Sequence, residues 1–87
     1  MDLKDYRVKI DEIDDQLVKL FLQRMEVSAE IAAYKKENNL PILDAGRERA
    51  KLNDVCSKVP PEMRNYTSVL YSSLFELSRS HQSHQRN

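Results

Sequence analysis

Glycine, proline and cysteine are scarce in this chain, and tryptophan is absent. Its 87 residues include one glycine, three prolines and one cysteine. Because glycine and proline supply most of the geometry of tight turns, their scarcity predicts few secondary-structure elements, each of them long. A lone cysteine cannot form an internal disulfide, so we expect a cytoplasmic protein in which Cys56 is a small side chain on a helix face.

The chain also lacks an excess of charge of either sign. Fourteen Lys and Arg residues balance fourteen Asp and Glu residues. Nucleic-acid-binding domains usually carry a basic excess, so no nucleic-acid partner is expected. No apolar run is long enough to span a membrane and the N-terminus has no signal-peptide pattern, so no membrane partner is expected either. His81 and His84 have no other plausible ligands nearby, so we predict no metal site.

The hydrophobic pattern predicts a very long first helix, from about Asp2 or Leu3 to about Asn38, with Pro41 beyond its end. An apolar seam repeats every three or four residues and has a single polar member, Arg24; it consists of Leu3, Tyr6, Ile10, Ile13, Leu17, Leu20, Arg24, Val27, Ile31 and Tyr34. Such a helix is about 54 Å long, whereas a compact domain of this size is roughly 30 Å across. The apolar seam therefore requires a partner chain, and we expect a second copy.

Two shorter helices should follow in the same single domain, which spans residues 1–87. Asp44 is a favoured N-cap for a second helix that ends near Ser57. The third helix should start around Pro61, because proline is tolerated in a first helical turn, and should fade near Gln82. Residues 83–87 are predicted to form a polar, frayed tail. The predicted fold class is all-α, with three helices and an intertwined homodimer.

Arg24 is costly in an apolar seam unless an anion meets it. Lys35 lies eleven residues further on, on the same helical face and about 16 Å away. Arg7 lies about 25 Å from Arg24 and roughly 100° around the helix, so it could reach the same site only from another copy in an antiparallel or crossed dimer. The pattern alone leaves two interpretations of Arg24 open, a buried salt bridge that sets helix register and a ligand site.

The start of the second helix adds Asp44, Arg47 and Glu48 within one turn, near the electropositive helix N-terminus. Four cations would then face two carboxylates; the cations are Arg24, Lys35, Arg47 and Arg7 of a second copy. The surplus of two positive charges matches a dicarboxylate ligand.

The spacing of Arg7, Arg24 and Lys35, followed by Asp44-x-x-Arg47-Glu48, resembles that of the all-helical chorismate mutases. The local sequences at residues 6–11, 13–22 and 47–49 resemble the family as well, and the resemblance covers about residues 3 to 82. It implies three-helix chains that intertwine into a homodimer. It also implies the conversion of chorismate to prephenate, a [3,3] sigmatropic rearrangement in aromatic amino-acid biosynthesis that needs no metal or cofactor.

The resemblance implies a role for each cation and carboxylate. Arg24 and Arg7 of the second copy would bind the two carboxylates of chorismate. Lys35 would donate to the ether oxygen as the carbon–oxygen bond breaks. Glu48 would accept from the ring hydroxyl with help from the backbone at Asp44, and Arg47 would orient these two carboxylates.

The resemblance also implies two site residues in the third helix. Ser78 would contact a substrate carboxylate, and Gln82 would donate a second hydrogen bond to the ether oxygen. The register leaves Ser80, Ser83 and Gln85 as nearby alternatives. Because an amide donates at any pH, a site with Gln82 should keep its activity above neutral pH.

Two other functions stay open at the level of sequence. The first is an isochorismate-pyruvate lyase, which uses a similar fold and a similar set of cations; incubation with isochorismate would distinguish it. The second is a non-catalytic helical dimer module with structural cations. In that case Arg24→Ala would lower stability rather than turnover.

Overall fold

The computed structural model describes residues 1–86, and their side chains as far as residue 84. Within this range the chain forms three α-helices: α1 (Leu3–Glu37), α2 (Ala45–Ser57) and α3 (Arg64–Arg86). A short 3-10 helix, Pro61–Met63, leads into α3, and the described residues contain no strand. The all-α class, the three helices and the long first helix are confirmed.

Local capping fixes both ends of α1. Asp2 and Asp5 form a capping box, in which the Asp5 backbone N–H donates to Asp2 Oδ1 at 3.0 Å and the Asp2 N–H donates to Asp5 Oδ2 at 3.2 Å. At the other end Asn39 has a left-handed φ of 55°. The Leu40 N–H then donates to the Lys35 carbonyl at 2.8 Å, which completes a Schellman motif. Asparagine here provides the left-handed residue that glycine provides in most such turns.

The other helix boundaries follow from equally local signals. Asp44 Oδ1 accepts from the Arg47 N–H at 3.0 Å and caps α2, as predicted. Pro60 precedes the 3-10 turn, and the Met63 N–H donates to the Pro60 carbonyl at 2.9 Å. The packing is simple, since α3 contacts both α1 and α2.

The predicted end of α3 near Gln82 is wrong. The helix continues to Arg86, so residues 83–86 are helical rather than a frayed tail. No proline or glycine follows Gln82, and each added residue closes another backbone hydrogen bond, so nothing local ends the helix there. Asn87, the last residue of the predicted tail, lies outside the described residues.

The single chain is elongated and buries little. Its dimensions are 54 × 27 × 15 Å and its radius of gyration is 16.1 Å, against about 12 Å for a compact domain of this length. Among the described side chains, Ala32 and Phe75 are the buried apolar ones, and Ser28 and Gln82 are the buried polar ones. Every apolar member of the seam is exposed in the single chain. None of the helices described has the length and hydrophobicity needed to cross a membrane.

Candidate active site

A cavity of about 370 Å³ lies between the C-terminal half of α1, the start of α2 and the C-terminal half of α3. Seven of the eight predicted site residues line it: Arg24, Lys35, Asp44, Arg47, Glu48, Ser78 and Gln82. The eighth, Arg7, is exposed on α1 and does not line the cavity. Of the alternatives in α3, Ser80 and Ser83 are exposed, and the side chain of Gln85 lies outside the described residues.

Arg24 enters the cavity from α1 and is half-buried. Its Nη1 donates to Ser78 Oγ at 2.6 Å, and its guanidinium carbon lies 6.0 Å from the centre of the Phe75 ring, within cation–π range. It forms no ion pair with any carboxylate of the described chain. The salt bridge that would make Arg24 a purely structural cation is therefore not formed within the single chain.

A hydrogen-bonded group of polar side chains joins α1 to α3 beside Arg24. Gln82 Nε2 donates to Ser28 Oγ at 3.1 Å, and Ser28 Oγ donates to the Ser78 carbonyl at 3.3 Å. Ser28 and Gln82 are 4% and 7% exposed, so both are buried. Gln82 Oε1 is also buried and has no hydrogen-bond partner among the described groups. A buried amide oxygen without a donor is costly, so this amide end is available to a ligand or to a rearrangement.

The end of α1 and the start of α2 meet at Lys35. Lys35 Nζ donates to the Ile42 carbonyl at 2.8 Å, which ties the connecting segment back to α1. An ammonium has three donors, so two N–H groups of Lys35 remain for a ligand. At the start of α2, Asp44 combines its position in the cavity lining with its role as N-cap.

Glu48 forms an ion pair that the sequence pattern does not predict. Arg79 Nη1 donates to both Glu48 oxygens, at 2.6 and 2.5 Å, and Arg79 also lines the cavity. The two residues are 31 positions apart. No local spacing rule connects residues at that separation, and only the packing of α2 on α3 brings them together. The hydrogen bonds that join Ser28 to Ser78 and Gln82 were not predicted, for the same reason.

The cavity carries a surplus of positive charge. Five cations and two carboxylates line it, and the cations are Arg24, Lys35, Arg47, Lys51 and Arg79. Lys51 is partly neutralised, because its ammonium lies 3.5 Å from Asp54. The hydrogen bond from Lys58 to Asp54, with a further contribution from Lys51, lowers the pKa of that carboxyl below its ordinary value. The remaining surplus suits an anionic ligand.

The residues with metal-binding or nucleophilic side chains do not form a second site. No group of three His, Cys, Asp or Glu side chains in the described part of the chain is arranged to hold a metal ion. The Cys56 sulfur lies 3.7 Å from the Arg64 carbonyl oxygen, and Cys56 does not line the cavity.

Comparison with known families agrees with this geometry. The sequence model of the family described as chorismate mutase type II matches residues 6–83. The chain therefore belongs to the type II chorismate mutase family.

Two relatives share shorter segments with the chain. The T-protein of Haemophilus influenzae is 40% identical over 50 residues, which are 58% of this chain and 13% of that protein. A chorismate mutase of Methanocaldococcus jannaschii is 38% identical over 47 residues, which are 54% of this chain and 48% of that protein. The matched segments thus span less than half of either relative. No solved structure gave a significant match.

Proposed function

We propose that this chain converts chorismate to prephenate in aromatic amino-acid biosynthesis. The proposal rests on a single observation, a cavity whose cations Arg24, Lys35 and Arg47 form no ion pair with a carboxylate of the described chain. Cations held beside a cavity without a counter-ion are placed to bind an anionic ligand. Membership of the type II chorismate mutase family and the name of the Methanocaldococcus relative support chorismate as that ligand.

The rearrangement needs no acid, base or nucleophile from the protein. One carbon–oxygen bond breaks and one carbon–carbon bond forms in the same step, and no proton is transferred. The protein has to hold the substrate with its side chain folded over the ring, and to stabilise the negative charge that grows on the ether oxygen. Catalysis is therefore positioning together with electrostatic stabilisation.

Arg24 and Ser78 would bind one carboxylate of the substrate. Arg24 uses one N–H on Ser78, and the guanidinium has further donors for a carboxylate. The hydrogen bond to Ser78 and the Phe75 ring fix the guanidinium before the substrate arrives. Such preorganisation lowers the conformational-entropy cost of binding the substrate.

Lys35 and Gln82 would stabilise the ether oxygen in the transition state. Lys35 has two N–H groups that the Ile42 carbonyl does not use. Gln82 Nε2 donates to Ser28 Oγ, while Gln82 Oε1 has no partner among the described residues. If the amide turned over, the Ser28 hydroxyl could exchange its hydrogen bond to the Ser78 carbonyl for one to Oε1, and Nε2 would be free to donate to the ether oxygen. Both donors gain strength as the charge grows, which favours the transition state over the ground state.

Glu48 would accept a hydrogen bond from the ring hydroxyl, near the backbone of Asp44. Arg47 lies beside both in the first turn of α2 and would add positive potential. This assigns a role to each of the seven predicted residues that line the cavity.

The second carboxylate would be bound by Arg7 of a second copy. Arg7 does not line the cavity of its own chain, and the apolar seam on the same helix is exposed. We propose an intertwined homodimer in which the seams of two α1 helices pack together and each Arg7 enters the other copy's cavity. Burial of the seam supplies the hydrophobic stabilisation that the single chain lacks.

The proposal is tested by following the ultraviolet absorbance of chorismate with the purified chain in a metal-free buffer, and by identifying the product. We expect prephenate. If a folded protein leaves chorismate unchanged, the proposal is wrong. Isochorismate is then the next substrate to test, and inactivity on both would favour a non-catalytic helical module.

A further inference from the structure

We propose that Arg79 is a positioning residue that holds the Glu48 carboxylate ready to accept the hydrogen bond of the substrate's ring hydroxyl. The inference rests on the proposed function, because it assigns Arg79 its task through Glu48. The observation is the ion pair between α3 and α2, in which a single nitrogen of Arg79 contacts both carboxylate oxygens, at 2.6 and 2.5 Å.

The geometry of this ion pair leaves the Glu48 carboxylate able to accept a further hydrogen bond. Each carboxylate oxygen has two lone-pair directions, and one Nη1 placed between the oxygens uses only the inner one of each. The outer direction of each oxygen therefore remains open to a hydroxyl donor. The Glu48 side chain is 26% exposed and that of Arg79 is 35% exposed, so the pair lies at the edge of the cavity with part of each group still accessible.

The neighbours of Glu48 explain why it needs such a partner. A glutamate side chain has three rotatable bonds, and among the described hydrogen bonds Arg79 is its only side-chain partner. Asp44, one turn earlier, is held by the Arg47 N–H instead. Without Arg79, Glu48 would occupy several rotamers, and few of them would point an oxygen at the substrate hydroxyl.

Two other roles for Arg79 make different predictions. If the ion pair were a latch that keeps Glu48 away from the substrate, its loss would raise turnover. If it only fastened α2 to α3, R79M and E48Q would each lower stability, and any loss of activity would follow the loss of folded protein.

The test is a double-mutant cycle with R79M, E48Q and the double variant, measured as kcat and KM for chorismate. Methionine keeps much of the apolar stem of arginine without its charge. We expect R79M to lower kcat/KM about tenfold or more, which is the usual effect of losing a charge-assisted hydrogen bond at a site. In the E48Q background the same substitution should change kcat/KM less than about twofold, since there is no carboxylate left to position.

Arg79→Lys is the rescue variant. Because a single arginine nitrogen makes both contacts, a lysine ammonium can take its place between the two oxygens. We expect Arg79→Lys to recover part of the kcat/KM that R79M loses. The matched control is R64M, which removes an exposed arginine at the other end of the same helix and should leave kcat/KM unchanged. Thermal unfolding of every variant separates loss of the site from loss of the fold, and R79Q is the second neutral variant if R79M does not fold.

Each outcome bears on the proposal. Unchanged or raised kcat/KM in R79M overturns it, and so do equal losses in the wild-type and E48Q backgrounds. A lysine variant as poor as R79M also overturns it, because the guanidinium would then act in some other way than through the single-nitrogen contact. The wild-type assay tests the proposed function separately: an active wild type with no coupling between Arg79 and Glu48 refutes this inference alone.

Discussion

The two halves of α1 differ in what they contact, although one hydrophobic pattern runs through both. Every residue from 1 to 23 is exposed in the single chain. From Arg24 onward the same helix carries the buried Ser28 and Ala32, and it lines the cavity. The buried residues of α1 are therefore small, whereas the large apolar side chains of the seam are exposed in the single chain. The strongest hydrophobic pattern in the sequence thus lies on a surface that is exposed in the single chain, and under the proposed dimer that surface becomes the interface.

The largest effect should come from a charge in the exposed half of α1. We expect Leu17→Glu to abolish the proposed dimer and with it all turnover, because two symmetry-related carboxylates would be buried without partners, at a cost of several kcal/mol. Sedimentation equilibrium and the chorismate assay measure both effects. The matched control is Gln16→Glu, one residue earlier and exposed. A fully active Leu17→Glu dimer would show that the seam is not the interface.

In the packed half, Arg24→Ala should lower kcat/KM about a hundredfold or more while the dimer persists, since a desolvated charged contact contributes roughly 2–5 kcal/mol. Among the described residues Arg24 has one hydrogen bond, to Ser78, and one cation–π contact, with Phe75, so the expected change in thermal midpoint is small. Arg49→Ala, which removes an exposed arginine outside the cavity lining, is the control. Lower stability with normal turnover would favour the structural interpretation of Arg24.

Mixing two variants, one altered in each half of α1, tests whether the two halves meet across the proposed dimer. If Arg7 acts across the dimer, Arg7→Ala and Arg24→Ala chains should complement each other, because one of the two sites in a mixed dimer contains both arginines. Random exchange should restore about a quarter of the wild-type activity. Recovery is measured after unfolding and refolding the mixture together. Its absence, with subunit exchange verified, would place Arg7 outside the site.

A smaller, pH-dependent effect is expected at Gln82. The wild-type amide donates at every pH, so kcat/KM should be flat from mild acid to pH 8. In Gln82→Glu only the protonated acid can donate. Its ordinary pKa is about 4.3, and burial would raise it, because burial disfavours the charged form. The variant should therefore be most active in acid and lose activity as pH rises. A pH-independent variant would show that position 82 does not donate to the substrate.

The smallest effect is expected at Ser28, the serine that links α1 to Gln82. Ser28→Ala removes two hydrogen bonds, the one from Gln82 Nε2 and the one to the Ser78 carbonyl. The Gln82 amide is then less restrained, which should cost about 1 kcal/mol, or roughly fivefold in kcat/KM. Ser80→Ala, at an exposed position on α3, is the control. An equal loss of kcat/KM in both variants would argue that Ser28 has no specific task.

Features with local sequence signals could be predicted, whereas those that depend on packing between helices could not. Helix starts were predictable because Asp2 and Asp44 cap the backbone three residues ahead of themselves. The end of α3 was not, because residues 83–86 are polar but include no proline or glycine that would end the helix. The partners of Ser28 and Arg79 could not be predicted, because they lie 54 and 31 residues away and are reached only through packing.

Because the apolar seam is exposed in the single chain, the stability of the fold should depend on association. A chain that buries only Ala32 and Phe75 among its described apolar side chains gains little to offset the conformational entropy of ordering three helices. Under the proposed dimer, folding and association become one event. Refolding would then be second order in chain concentration, and the unfolding midpoint would rise as the protein is concentrated. The amount of enzyme in a cell would thus set what fraction of it is folded.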